Sequence, residues 1–391
     1  MRIRKIVGTL HLWLGLLSGA IVLFLGLTGC ILAFEREIEE ATQPYRFVKK
    51  QNVALLQPSQ IQKIAERQLP QKKLHSIGYQ QGNSAVAVFF DFQPNPYYYT
   101  VYINPYNGVV LKVKDMSKDF FRIVINGHYY LWLPPKIGQP IVASATLVFV
   151  VMLVSGIILW WPRHKVVVKQ RLTIKWSARW RRVNYDLHNV LGFYMTWIAL
   201  FIALTGLIMG FQWMSKSVYW LASGGQQQVQ YTEASSGTSK YPGSDHSFTA
   251  MDHLWKKTLK GLPGFTGIVD VHPPASRTSA VEIAVNPDAG TYWQTDYHYY
   301  DQYTLREIEV KHSFGKLASA SAADKLLRMN YDIHVGAIAG LPGKVVAFFA
   351  SLIAASLPVT GFLLWRGRKK KHRKKIAWKG APATRLETPT R

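Results

Sequence analysis

Cysteine is nearly absent from this chain: Cys30 is the only one in 391 residues. A lone thiol excludes an intrachain disulfide, a cysteine-held metal cluster and a cysteine-attached c-type haem. Acidic residues are scarce as well, 22 Asp and Glu against 47 Lys and Arg, for a formal net charge of +25. No glycine fingerprint of a nicotinamide, flavin or nucleotide fold is present. In a soluble protein such a charge would point to nucleic acid. Here the basic residues stand beside apolar runs, at Arg2, Arg4 and Lys5, from Arg163 to Arg182, and from Arg366 to Lys379. No aromatic-interleaved basic domain accompanies them, so nucleic-acid binding is the weaker reading.

Charge is also scarce within four apolar runs, at about 8–34, 137–161, 187–213 and 343–365, where Lys344 is the one Asp, Glu, Lys or Arg. Each is long enough for a helix to cross a bilayer, which takes roughly 20 residues. If all four cross, the three basic clusters fall on one side, and the positive-inside rule places both termini and the 162–186 loop in the cytoplasm. Residues 35–136 and 214–342 then lie outside. The first run is too long for a signal-peptide core and leads into FEREIEE rather than a cleavage site, so it reads as an uncleaved anchor.

The runs are not independent. Residues 11–34 and 188–211 share one register, with His11 and His188, Gly15 and Gly192, Thr28-Gly29 and Thr205-Gly206, and Phe34 and Phe211 each 177 residues apart. Gly15, Gly19, Gly26 and Gly29 fall on one helical face with His11, and Gly192, Thr196, Ala203 and Gly206 repeat that face below His188. Such a stripe admits either a flat group or another helix. The approaches to the second and fourth runs match as well: Arg122 and Arg328, and His128 and His334, are 206 apart. Gly156 and Gly361, and Trp160 and Trp365, match at 205. The chain therefore reads as a duplicated unit of span, external module and span, its axis along the membrane normal.

Each module reads as small and α+β. In the first, PSQIQKIAERQLP has helical spacing, opening at Ser59 and closing at Pro70; SAVAVFFDF, YYYTVYINP and VVLKV read as strands. In the second, FTAMDHLWKKTLKGLP is the helix, followed by FTGIVDVHP, AVEIAVNP and YDQYTLREIEV. Residues 214–240 read as a polar, mobile linker.

An ionisable group among hydrocarbon marks a functional position by default. His11 and His188 share a depth near the cytoplasmic surface, and His128 and His334 share one near the outer surface. A twofold axis would turn the members of each pair toward one another. Two imidazoles facing across a gap lined by small side chains suit one metal in a flat cofactor, and haem fits that description. A bare Zn²⁺ or Cu²⁺ would want three or four protein ligands at one depth. The competing reading is a helix seam with hydrogen-bonded histidines. Arg122 and Arg328 are candidates to meet haem carboxylates, or else interfacial anchors. Trp160, Trp161, Trp365, Tyr129, Tyr130 and Trp132 read as an interfacial aromatic belt.

LHLWLG, YINPYNGVVL, LWWPR, DIHVGAIAGLPGK and the VTGFLLW span together resemble the PepSY-associated transmembrane proteins, often called iron-regulated membrane proteins, over about residues 1–370. The resemblance implies an inner-membrane protein with two external PepSY modules. Its ferrisiderophore reductase members carry haem and reduce chelated iron in the periplasm. The histidines matching the motifs are His11, His188, His128 and His334.

The expected fold is thus a four-helix membrane protein built as a tandem repeat, with two small extracytoplasmic α+β PepSY-like modules. Its segments are 1–34, 35–136, 137–161, 162–186, 187–213, 214–342, 343–365 and 366–391. The expected function is a haem-dependent transmembrane oxidoreductase with two b-type, bis-histidine haems at His11/His188 and His128/His334. It would pass electrons to a ferric siderophore or other ferric chelate from a quinol or a soluble reductase. The alternative is a PepSY-type binding or regulatory membrane protein without redox activity.

Overall fold

The computed structural model describes residues 2–91, 96–162, 164, 168–237 and 245–379. Helix α1 (Arg2–Ala33) breaks at Phe34 into α2 (Glu35–Thr42). Next come α3 (Pro58–Gln68), β1 (Leu74–Gln80), β2 (Ala85–Asp91), β3 (Tyr97–Ile103) and β4 (Val110–Asp115). Then α4 (Phe120–Tyr130) turns into the long α5 (Pro135–Trp160). After α6 (Val168–Leu172), α7 (Trp180–Asp186) passes through a π-turn at Leu187–Leu191 into α8 (Gly192–Gly210). The remainder is α9 (Gln212–Ala222), α10 (Asp245–Lys260), β5 (Ile268–His272), β6 (Val281–Asn286), β7 (Asp296–Tyr300), β8 (Glu307–Ile308), α11 (Ala322–His334) and α12 (Gly340–Lys379).

Among the described residues, four helical stretches are long and apolar enough to cross a membrane: Ile3–Ala33, Pro135–Trp160, Trp180–Gly210 and Ala337–Arg368. They match the four expected runs, with ends shifted by a few residues. The third begins earlier because Asp186, fully buried, takes an ion pair from Arg182 at 2.9 Å that carries the helix through polar sequence. The small residues seat helix on helix at several points. A methyl group on Gly26 would stand 2.7 Å from the Ser351 carbonyl, so α1 and α12 touch backbone to backbone there. Cys30 is buried and donates to the Phe348 carbonyl across the same contact.

The strands do not form two separate modules. They make one eight-stranded antiparallel sheet in the order β4-β3-β2-β1-β5-β6-β7-β8. The two halves join where β1 pairs with β5, at Ile77↔Val271, Gly78↔Asp270, Tyr79↔Val269 and Gln80↔Ile268. Strand alternation decides what is buried. Ile77, Ala87, Phe89, Val101, Val271, Val281 and Ile283 point to one face, covered by α3 (Ile61, Ala65) and α10 (Met251, Leu254, Trp255) in a single shared core. Ser59 at the start of α3 donates to Asp252 of α10 from its backbone N–H at 2.9 Å and its hydroxyl at 2.6 Å. The opposite face looks onto the helices that enter the bundle, with Arg122 of α4 over Tyr98 and Arg328 of α11 over Tyr297.

Three expectations change. The strands β1 (LHSIGYQ) and β7 (DYHYY) are additional, and of YDQYTLREIEV only Tyr300, the end of β7, and Glu307–Ile308 are strand. Residues 301–304 instead wrap the Asp301 side chain, which accepts from the Tyr303 and Thr304 N–H groups. The linker is largely ordered: 212–222 is helix, and Ser236 is buried with its N–H on the Thr278 carbonyl. Phe92 of a predicted strand, residues 163 and 165–167 of the basic loop, 238–240 of the linker and 380–391 of the tail lie outside the described residues.

Candidate functional site

The helices bring the four histidines into two cavities, one next to the sheet and one at the far end of the bundle. His128 and His334 sit in the last turns of α4 and α11, whose opposite, N-terminal ends are capped by Asp119 and by Ser321 with Asp324. Their ring centres are 6.3 Å apart, with the planes inclined by 68°. His128 Nδ1 lies 2.8 Å from Thr28 Oγ1, and His334 Nδ1 lies 3.1 Å from Thr205 Oγ1 and 2.9 Å from the Ile202 carbonyl. At the far end, His11 Nδ1 lies 2.8 Å from Ser155 Oγ and His188 Nδ1 lies 2.9 Å from Thr360 Oγ1. Each ring therefore engages a neighbouring helix by one nitrogen and turns the other away from it.

The sheet-side cavity is a slot of about 160 Å³, walled by Gly26, Gly29, Ala143, Ala203, Gly206 and Ala350 among others. The far-side cavity is larger, about 980 Å³, with His11, His188, Gly15, Gly156, Gly192 and Gly361 in its walls. His11 and the contact point of His128 at Thr28 are 17 residues apart on α1, which is about 25 Å of helix. Even so, Val22 and Phe149 line both cavities and are the partition between them.

A haem can be tested against this geometry. A metal–imidazole bond is about 2 Å and a ring nitrogen lies about 1 Å from its ring centre, so two imidazoles on one metal have centres roughly 6 Å apart. His128 and His334 meet that spacing at 6.3 Å, which leaves room between the rings for something one atom thick. Among the described residues no group of three or more His, Cys, Asp or Glu forms a metal-ion cage. Either pair offers a metal only two protein ligands, so a metal held there would need a cofactor that brings its own equatorial ones. The spacing of His128 and His334 and the two-imidazole donor set are those a haem would use.

The mouths differ in charge. Arg181, Arg366 and Arg368 line the far-side cavity, the right charge for a cofactor carboxylate. The polar lining of the sheet-side slot includes Glu35, Tyr129, Gln139 and Tyr331, and no Lys or Arg among the described residues. Burial, then the nearby Glu39 and Asp119 carboxylates, push Glu35 above the usual carboxylate range. Of the two arginines proposed for carboxylates, Arg328 is unavailable. It is buried and donates to the Ser313, Thr295 and Gly315 carbonyls at 2.7, 3.1 and 2.5 Å, tying loops to α11. Arg122 is exposed over Tyr98. Trp160 is not part of an interfacial belt: it is buried and stacked on Phe193 at 3.6 Å in the far-side wall.

A second polar cluster lies on the inward face of the sheet, at the seam. His75 and His272 rings are 4.7 Å apart, and His272 Nε2 is 3.2 Å from Asp270 and 3.9 Å from Glu282. Burial alone would lower His272, but Asp270 and then Glu282 outweigh it and hold its pKa at about 8. Burial, reinforced by the neighbouring His272 charge, lowers His75 to about 4. Neither has a histidine partner at the repeat offsets of 177 or 206, and only the β1–β5 pairing brings them together.

The family model described as PepSY-associated TM region matches residues 9–368, nearly the whole chain. No curated protein matches it.

Proposed function

The chain belongs to the PepSY-associated transmembrane family, and we propose that within it this membrane protein is a haem-dependent reductase passing electrons to a ferric chelate. The observation that carries the reading is the 6.3 Å between the His128 and His334 ring centres, each ring held from behind by a hydroxyl. His128 and His334 would hold one b-type haem, and His11 and His188 a second. Held by two imidazoles from the protein, a haem would supply one-electron carrier chemistry.

The protein's own part is positioning and exclusion. Gly and Ala walls let a flat group approach the backbone, apolar side chains keep water from it, and Arg181, Arg366 and Arg368 suit its carboxylates. The basic clusters orient the chain in a bacterial inner membrane with both termini cytoplasmic and the sheet in the periplasm. Electrons then enter on the far side, from a quinol or soluble reductase, and leave beneath the sheet. Each one converts Fe(III) in a chelate such as a ferrisiderophore to Fe(II), which hard oxygen donors hold far less well. Stopped-flow absorbance tests this. Chemically reduced protein should be reoxidised by a ferric siderophore, and the His128→Ala/His334→Ala protein should lose that reaction while its far-side haem stays reducible. Absence of reoxidation by any ferric chelate would favour the regulatory reading.

A further inference from the structure

All four histidines meet the same short piece of a neighbouring helix, a hydroxyl residue followed by glycine. Thr28-Gly29 faces His128, Ser155-Gly156 faces His11, Thr205-Gly206 faces His334, and Thr360-Gly361 faces His188. The glycine leaves space at the ring edge, with an added methyl 3.2 to 3.7 Å from each Cε1. The hydroxyl then settles which ring nitrogen carries hydrogen.

A hydroxyl has one proton and two lone pairs. Thr28 Oγ1 is 2.8 Å from the Phe24 carbonyl, Thr205 Oγ1 is 2.8 Å from Ile202 O, Thr360 Oγ1 is 3.0 Å from Ser356 O, and Ser155 Oγ is 3.1 Å from Met152 O. Those carbonyls accept only, so each hydroxyl proton is committed to its own helix. What remains toward the histidine is an oxygen lone pair, and the imidazole must be the donor. His334 requires the same independently, because its Nδ1 also lies 2.9 Å from the Ile202 carbonyl, which accepts only. With hydrogen on Nδ1, a neutral imidazole has its free lone pair on Nε2.

We propose that Thr28, Ser155, Thr205 and Thr360 are positioning residues that lock the four histidines in the Nδ1–H tautomer, so that Nε2 is the metal-binding nitrogen at both sites. The tautomer stands on hydrogen bonding alone; its use for haem rests on the function proposed above. An outer hydrogen bond of this kind fixes ring orientation and makes the ligand more basic, and its loss weakens metal binding about 10–100-fold. A more basic ligand favours the oxidised metal. A tenfold loss borne by that state alone corresponds to a midpoint potential about 59 mV higher.

The test pairs Thr28→Val with Thr205→Val, since valine keeps the shape and removes the hydroxyl, and uses Thr28→Ser/Thr205→Ser as the rescue. First, ¹⁵N NMR of histidine-labelled full-length protein, purified free of cofactor, reads the tautomer directly. The wild type and the serine protein should show Nδ1–H with unprotonated Nε2 at His128 and His334, and the valine protein should lose this preference. Second, in haem-loaded protein the valine variant should retain the sheet-side haem 10–100-fold less tightly and show a raised potential, with serine restoring both. Nε2–H in the wild type would overturn the inference, as would a valine variant with unchanged tautomer, retention and potential. A wild type that shows Nδ1–H yet binds no haem supports the tautomer lock and refutes the haem reading.

Discussion

Alanine at the four glycines beside the histidines should act unequally. At Gly361 and Gly206 the new methyl carbon would stand 3.2 Å from His188 Cε1 and 3.3 Å from His334 Cε1. At Gly156 and Gly29 it would stand 3.6 and 3.7 Å from the His11 and His128 rings. Carbon atoms rest at about 3.5–4.0 Å, so the first two substitutions push a ring and the last two do not. The pushed rings cannot retreat freely, because their Nδ1 atoms are tethered at 2.9 Å to Thr360 and 3.1 Å to Thr205. Overpacking a tight site costs roughly 1–3 kcal/mol. One methyl against a ring that pivots belongs at the low end, about 1 kcal/mol, or roughly fivefold in cofactor affinity. Haem titration followed by absorbance should rank Gly361→Ala and Gly206→Ala below wild type, with Gly156→Ala and Gly29→Ala near it. Equal or reversed ranking would refute the idea that ring-edge space at these glycines controls the sites.

The seam cluster should give the sheet a stability maximum near pH 6.5. His272, raised to about 8, contributes about 2 kcal/mol that is fully present below its unfolded pKa of about 6.5 and lost as pH rises through 8. His75, lowered to about 4, costs stability as pH falls below about 6.5, since only the unfolded chain then protonates it. Thermal melts against pH should show both slopes, and His272→Gln should flatten the alkaline one. Arg328→Met strands three carbonyls and should destabilise the protein by about 3 kcal/mol or more, whereas Arg122→Met, at an exposed site, should cost under about 1 kcal/mol in denaturant melts. In haem-loaded protein, Phe149→Ala, which opens the partition between the cavities, should slow reoxidation at the far-side site while haem content stays unchanged.

The parts of the molecule legible in its sequence are those that hydropathy and register encode locally. Four apolar runs predict four spans, and a histidine repeated at 177 and at 206 residues predicts two pairs. The structure brings His128 and His334 together, and places His11 and His188 in one cavity. The single sheet was not legible, because it depends on β1 meeting β5 across some 190 residues, and LHSIGYQ lacks the alternation that marks a strand. The hydroxyls were in view as Thr28-Gly29 and Thr205-Gly206 but served only as matches of the repeat register. Their bonds to His128 and His334 need the helices packed. Phe201 and Trp197 of α8 are exposed, and Val22 and Phe149 line both cavities.

The most direct measurement is the reduced-minus-oxidised absorbance spectrum of purified wild type, quantified by pyridine haemochrome, beside the two histidine-pair variants. Two bis-histidine b-type haems predict that His11→Ala/His188→Ala and His128→Ala/His334→Ala each lose about half of the signal, with the other half intact. A featureless wild-type spectrum after haem reconstitution would contradict the account at its centre, and equal loss of all haem from both folded variants would mean one shared site rather than two.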